Sequence, residues 1–184
     1  MARSKKPSSM GDLVRSLAVI LIPLVIITWF FTRSPESPAV LVVDYRPVLA
    51  QARQQAPFEV LAPTSVPKDW RATRATWLTT GQPGLAGEPS VRKLWQLGFL
   101  TGQDVYVELD QGDLRGEDLI VDRTRKGLPD GQSTVGTQVW QRLISSDERT
   151  RSLVLPSAKV TTIVVGDLPY ADLESYAATL APAG

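Results

Sequence analysis

The chain has 184 residues, of which 43% are hydrophobic and 21% charged, and its formal net charge is +1. These proportions are typical of a folded protein and argue against disorder. The sequence contains no Cys, no His and no Asn. It therefore excludes disulfides, thiolate nucleophiles, zinc sites built from Cys or His, and N-glycosylation. We predict no metal site and no cofactor.

The charge is distributed unevenly along the chain. Most of the excess positive charge lies before, within or directly after the first apolar segment, at Arg3, Lys5, Lys6, Arg15 and Arg33. The remainder carries 15 bases and 18 acids. A slightly acidic domain has little electrostatic attraction for nucleic acid, so we expect no nucleic-acid partner.

The first apolar segment predicts a transmembrane helix over residues 13–32, because about 20 apolar residues in helical form cross the hydrocarbon layer of a bilayer. Trp29 lies near its end, where interfacial aromatic residues are common. The bases that precede the segment predict a cytoplasmic tail over residues 1–12. The sequence then indicates a single-pass protein of the cell membrane, with the bilayer as the partner of residues 13–32 and the C-terminal domain extracytoplasmic.

A cleaved signal peptide is the competing interpretation of the same segment, with Ser37-Pro38-Ala39 as the cleavage site. Both interpretations export the rest of the chain. Residues 33–39 are rich in Ser and Pro and predict a linker, and residues 40–184 predict one extracytoplasmic domain.

The exported domain shows alternating strand patterns with a few helical ones. A helix is predicted to begin near Pro47 and another near Asp167, which we expect to be its N-cap. A short helix is predicted over 117–126. The predicted strands cover 58–62, 71–80, 91–100, 105–110, 137–145, 152–155 and 159–165.

This order predicts an α+β fold. Short connections favour a mainly antiparallel sheet of about six to seven strands with helices packed against it. The order of strands and helices is also similar to that of photosystem-P/Mog1-like sandwiches, an analogy that concerns the fold alone.

Several short stretches resemble the actinobacterial family described as domain of unknown function 4245. The matching stretches are Asp12-Leu13 with Ser16-Leu17, Ala56-Pro57-Phe58, Pro63, Pro67, Trp70, 94–101, 106–111 and 136–140. The resemblance spans nearly the whole chain. It implies an actinobacterial membrane protein, and it carries over no catalytic or binding residues, because the family has no assigned function.

The tryptophans are the candidate ligand-binding residues. Aromatic side chains on strands usually pack in a core, but they also form the walls of binding grooves. We single out Trp77, which lies within a predicted strand, and Trp70, because Pro67-Lys68-Asp69 places it at the start of that strand.

A cluster of acids between residues 104 and 122 is the other candidate feature. Two of its carboxylates would suit acid–base catalysis of glycoside hydrolysis. Three arginines are interleaved with the acids, at Arg115, Arg123 and Arg125. This mixture favours a solvated face that joins a strand, a turn and a helix.

The sequence thus leads to three hypotheses, with no catalytic residue assigned. The preferred one is a non-enzymatic, membrane-tethered interaction module of the cell envelope, which contacts an envelope protein or a cell-wall component. The alternative is a small-molecule or glycan-binding sensor with a pocket near Trp70 or Trp77. The least favoured is a carboxylate-based hydrolase.

Overall fold

The computed structural model describes residues 10–32, 40–84, 87–113 and 116–182. The chain forms two compact units, Met1–Val40 and Leu41–Gly184. The predicted linker over 33–39 and most of the predicted tail over 1–12 lie outside the described residues.

The described part of the first unit is a single helix, α1, at Met10–Thr32, with Pro23 inside it. Among the described residues, no helix combines the length and apolar character needed to cross a bilayer. Residues 13–32, predicted as a transmembrane helix, lie within α1, and their role as a membrane anchor stays a prediction.

The second unit contains three helices and nine strands within the described ranges. The helices are α2 (Arg46–Gln55), α3 (Gly116–Arg123) and α4 (Tyr170–Ala178). The first four strands are β1 (Leu61–Pro63), β2 (Arg71–Leu78), β3 (Leu94–Leu100) and β4 (Tyr106–Gly112). The others are β5 (Leu128–Val135), β6 (Gln138–Ile144), β7 (Arg151–Pro156), β8 (Thr161–Gly166) and β9 (Leu180–Pro182).

Seven of these strands form one antiparallel sheet in the order β2-β3-β4-β8-β7-β6-β5. The predicted α+β fold with a mainly antiparallel sheet of six to seven strands is confirmed. The two remaining strands, β1 and β9, pair with each other.

The sheet buries different side chains on its two faces, because successive residues of a strand point to opposite sides. One face carries the larger apolar core, which includes Trp95, Leu97, Phe99 and residues of α2 and α4. The other face carries a smaller apolar cluster around Ile163, covered by α3. We call them the large-core face and the small-core face.

Two polar side chains of the sheet hold the segment around β1 against the large-core face. The Trp95 indole nitrogen donates to the Leu61 carbonyl at 3.0 Å. Gln111 accepts from the Leu61 amide at 2.7 Å and donates to the Glu59 carbonyl. Buried polar groups need hydrogen-bond partners, and these bonds supply them. They hold β1 in place, and residues 64–70 follow β1 directly in the chain.

Strand β5 was not predicted, because Pro129, Asp130 and Gly131 are typical of a turn. These residues form an irregularity within the strand, where the register with β6 shifts between Pro129 and Gln132. Gly131 has φ +90°, which glycine adopts without strain. β5 is an edge strand, and edge strands tolerate proline and bulges.

Two helix ends differ from their predictions. Helix α3 stops at Arg123 rather than at 126, because Arg125 and Lys126 adopt positive φ values of 54° and 57°. The N-cap of α4 is Pro169 and not Asp167. Asp167 instead accepts a hydrogen bond from the Thr150 hydroxyl at 2.6 Å.

We expect Gly166→Ala to lower the free energy of unfolding by about 2–3 kcal/mol, as overpacking does at a site that cannot yield. A Cβ at Gly166 would lie 2.8 Å from the Tyr106 carbonyl oxygen of the neighbouring strand. Urea denaturation measures the loss. Gly84→Ala is the matched control, since its Cβ would make only an ordinary contact at 3.6 Å. Equal stability of the two variants would contradict the close strand approach at Gly166.

Candidate functional site

A cavity of about 600 Å³ lies beside α4 on the second unit. Three segments form its walls: the chain from Ser65 to Trp70, the turn over 101–103, and α4. The volume falls within the range of small-ligand pockets, roughly 300–1,000 Å³.

Hydrogen bonds fix each of these walls. The Thr64 amide donates to the Thr179 carbonyl at 2.8 Å, which joins the first wall to the end of α4. In the turn, the Thr101 hydroxyl accepts from the amides of Gln103 and Val105. These hydrogen bonds join the first wall to the end of α4 and shape the turn over 101–103.

Trp70 is half-buried and lines the cavity. Its amide donates to the Pro67 carbonyl at 3.0 Å, and this turn positions the indole just before β2 begins. The indole packs at an angle against Tyr176 and Phe99, with ring centroids 5.5 and 6.1 Å apart. Aromatic contacts of this kind hold the ring in a defined position.

One face of α4 completes the site. Asp172, Ser175, Tyr176 and Thr179 all line the cavity. Their spacing of three, four and seven residues places them on the same side of a helix. The Tyr176 ring is buried, and its hydroxyl has no hydrogen-bond partner among the described residues. Burial is the main cause that raises the pKa of this hydroxyl, so it stays protonated.

The charge in the cavity has one sign. Its lining includes two carboxylates, Asp69 and Asp172, and no Lys or Arg among the residues that the structure describes. Asp69 lies against Gly102. A Cβ at position 102 would collide with the Asp69 carboxylate. Both aspartates are exposed, and neither has an ion-pair partner in the described ranges.

Trp77, the other predicted ligand-binding residue, lies apart from this cavity. It is buried in the large core, and its indole nitrogen donates to Gln55 at 2.8 Å. Its ring makes an edge contact with Phe58. The structure therefore brings Trp70 to a cavity and places Trp77 in packing; the binding role of each stays a prediction.

The acids predicted to form a solvated face divide into two groups. Glu108 and Asp110 of β4 are buried on the small-core face, with 6% and 0% of their surfaces exposed. Asp104, Glu117, Asp118 and Asp122 are exposed, as predicted. The prediction is therefore wrong for the two strand acids.

The two buried acids belong to a network of charged and amide side chains. Arg74 contacts Glu108 at 3.2 Å and donates to the Gln96 amide oxygen at 2.7 Å. Gln96 donates in turn to Asp110 Oδ1 at 2.7 Å, and Arg123 lies 3.6 Å from the same oxygen. Asp110 Oδ2 has no hydrogen-bond partner among the described residues.

Burial changes the protonation of this network. It is the main cause that raises the pKa of Asp110 to about 7, and the charge of Glu108 adds to it, while Arg123 opposes it. Burial likewise raises the pKa of Glu108 against the influence of Arg74 and Arg123. Asp110 is fully buried and already accepts a hydrogen bond from Gln96, so this carboxyl has no surface to offer a substrate.

Sequence reasoning did not find most of the cavity lining. Tyr176 follows the predicted start of the last helix, and residues 101–103 fall between two predicted strands, but neither was singled out as part of a site. The spacing of Asp172, Ser175 and Thr179 along α4 is a signal in the sequence, but only the fold shows that this face meets Trp70.

A model of the family described as "Protein of unknown function (DUF4245)" matches residues 5–180. The chain belongs to the DUF4245 family. The resemblance noted from short sequence stretches is thereby confirmed. No curated protein matches the sequence.

Two solved structures contain chains that resemble this DUF4245 protein over 67% of its length. One is the MucA/MucB complex of Pseudomonas aeruginosa, and the other is MucB in complex with MucA(peri). In both, the sequence identity is 15% and the TM-score 0.38. The match covers 35% and 37% of those chains, so this protein corresponds to little more than a third of their length.

Proposed function

We propose that the domain from Leu41 to Gly184 is a non-enzymatic binding domain that holds a segment of a partner protein in the Trp70 cavity. The observation that supports this proposal is the position of a half-buried tryptophan beside polar side chains in a cavity of about 600 Å³. Tryptophan in such a setting supplies a large apolar surface, and few residues contribute more to binding energy at interfaces.

The chemistry of the lining favours binding over catalysis. Its hydroxyl groups belong to Ser65, Thr101, Ser175, Tyr176 and Thr179. A hydroxyl nucleophile needs an adjacent base, and no hydrogen bond between one of these hydroxyls and a carboxylate or amine occurs in the described ranges. The lining offers donors, acceptors and aromatic rings, which are the groups that recognise a ligand.

We also propose an extracytoplasmic location, in which the partner is a component of the cell envelope. Basic residues that precede an apolar stretch near the N-terminus support this proposal, because export signals share that pattern. A free small molecule or a glycan is the alternative occupant of the same cavity, and the experiment below separates it from a protein partner.

We expect Trp70→Ala to reduce the yield of a crosslinked partner by about tenfold or more, because hot-spot tryptophans contribute about 2 kcal/mol or more to binding. The full chain with a C-terminal tag is crosslinked in intact cells, purified and compared with wild type. Trp70→Phe is the matched control, since it keeps an aromatic ring and should retain most of the yield.

Three results would decide this test. A partner lost in Trp70→Ala and kept in Trp70→Phe supports the proposal. A partner that survives both substitutions contradicts the assigned surface. A wild-type chain that captures nothing specific, but whose melting temperature rises with a soluble envelope extract of small molecules, favours the sensor alternative.

A further inference from the structure

We propose that the Trp70 cavity recognises a cationic side chain, a lysine or an arginine, on the partner segment. This inference rests on the proposed function and names the chemistry of the ligand. Its starting point is the one-signed charge of the lining, where Asp69 and Asp172 stand beside aromatic rings and no base is present among the described lining residues.

The two carboxylates come from different walls of the cavity. Asp69 belongs to the chain that leads into β2, and Asp172 lies in the first turn of α4. A helix N-terminus carries partial positive charge that is matched by an acidic side chain, so Asp172 has a structural reason to be there. Asp69 lies against Gly102, and no ion pair of Asp69 occurs among the described residues.

Aromatic rings complete the chemistry. Trp70 and Tyr176 pack together with centroids 5.5 Å apart, and both line the cavity. The face of an aromatic ring attracts a cation, and among the aromatic side chains tryptophan attracts it most strongly. Lysine and arginine also carry apolar stems that Val66, Pro67 and Leu168 of the lining would contact.

The same lining disfavours other ligands. An anion would meet two carboxylates with no base in the described lining to offset them, and like charges brought together cost free energy. A purely apolar side chain would leave both carboxylates of the lining without a charged partner. A cation with an apolar stem is the ligand that matches the charge, the rings and the apolar wall together.

The test observes Trp70 directly in the full chain. Protein labelled with 5-fluorotryptophan gives one fluorine NMR signal for each of its five tryptophans, and loss of a signal in Trp70→Phe assigns that of Trp70. The probes are the Nα-acetyl N-methylamides of lysine, arginine, norleucine and glutamate. Norleucine is the matched control for lysine, because it keeps the stem and lacks the ammonium group.

We expect the lysine and arginine probes to shift the Trp70 signal at concentrations about tenfold lower than norleucine, and glutamate to have no effect. Asp69→Asn combined with Asp172→Asn should weaken the lysine probe by about tenfold and leave the norleucine probe unchanged. These conservative changes keep the size of both side chains, and the unchanged norleucine response shows that the cavity is intact.

Several outcomes would overturn the inference. Norleucine binding as tightly as lysine, or a lysine response unaffected by the two Asn substitutions, shows that charge does not decide recognition. The binding function itself would survive that result, because a Trp70 signal that responds to norleucine still reports an occupied cavity. If no probe moves the Trp70 signal, cation recognition fails, and the crosslinking yield of Trp70→Ala judges the binding function separately.

Discussion

Trp95→Ala lowers the free energy of unfolding by about 3–5 kcal/mol, the largest loss that we expect from a single substitution in this domain. Trp95 is completely buried at the centre of the large-core face. Its removal creates a cavity of aromatic size and deletes the hydrogen bond to the Leu61 carbonyl. Because small domains are stable by only about 5–15 kcal/mol, a loss of this size is a large share of the total.

Guanidinium denaturation measures this loss, and Trp95→Phe is its matched control. Phenylalanine keeps much of the volume but cannot donate to Leu61, so we expect an intermediate loss of about 1–3 kcal/mol. A loss below 1 kcal/mol for Trp95→Ala would contradict a packed core at this position. The core at Trp95 also bears on the candidate site, because β1, which Trp95 contacts, leads directly into the wall of the Trp70 cavity.

Asp110→Asn should make the protein more stable at pH 8, by about 1–3 kcal/mol, and nearly equal to wild type at pH 4. The pKa of Asp110 is raised from an ordinary 3.8 to about 7, chiefly because the carboxyl is buried. Between these values the folded protein holds a proton that the unfolded chain has lost. Stability of the wild type therefore falls as pH rises from about 4 to about 7, and is constant above.

Asparagine does not titrate, so the variant should lose less stability than the wild type between about pH 4 and about pH 7. The side-chain oxygen of the introduced asparagine can still accept the hydrogen bond from Gln96. Chemical denaturation at a series of pH values measures both proteins. Glu108 also has a raised pKa, so part of the slope should remain in the variant.

Asp122→Asn is the matched control for Asp110→Asn. Asp122 lies 3.4 Å from the same Arg123, but 73% of its side chain is exposed. We expect a change within about 0.5 kcal/mol, since exposed ion pairs contribute little. If Asp110→Asn is instead less stable than wild type at pH 8, the ion pair with Arg123 outweighs the cost of burying the carboxylate.

The sequence predicted the strands of the sheet wherever apolar and polar residues alternate between clear turns. It failed at β5, where Pro129 and Gly131 occupy a bulge on an edge strand. A local pattern cannot distinguish such a bulge from a turn, because the same residues favour both. Residues 128–135 form a strand because they pair with β6, and a local sequence pattern does not show this pairing.

The sequence predicted one residue of the candidate site, Trp70, but it did not predict the residues that surround it. Trp70 was singled out because Pro67-Lys68-Asp69 places it at the start of a strand, and the structure brings it to a cavity. Trp77 has the same chemistry and lies in the core. Which of the two meets a cavity depends on where α4 and the turn over 101–103 pack, and these are contacts between distant parts of the chain.

Burial of the acids on β4 was not predictable for a related reason. Glu108 and Asp110 alternate with Val107 and Leu109, which is the pattern of a strand with one solvated face. Helix α3 covers part of that face, and Arg123 at its end reaches Asp110. The strand pattern correctly separated the two faces, but it could not show that the polar one is covered.

The most direct test of a binding function at the Trp70 cavity is site-specific photocrosslinking in living cells. A photoreactive residue replaces Gln103, which lines the cavity, or Val139, which is exposed on β6 and lines none of the described cavities. We predict one protein partner crosslinked from position 103, absent from position 139, and lost when Trp70→Ala is added. Identical products from both positions, or a product that persists in Trp70→Ala, would contradict a binding site at this cavity.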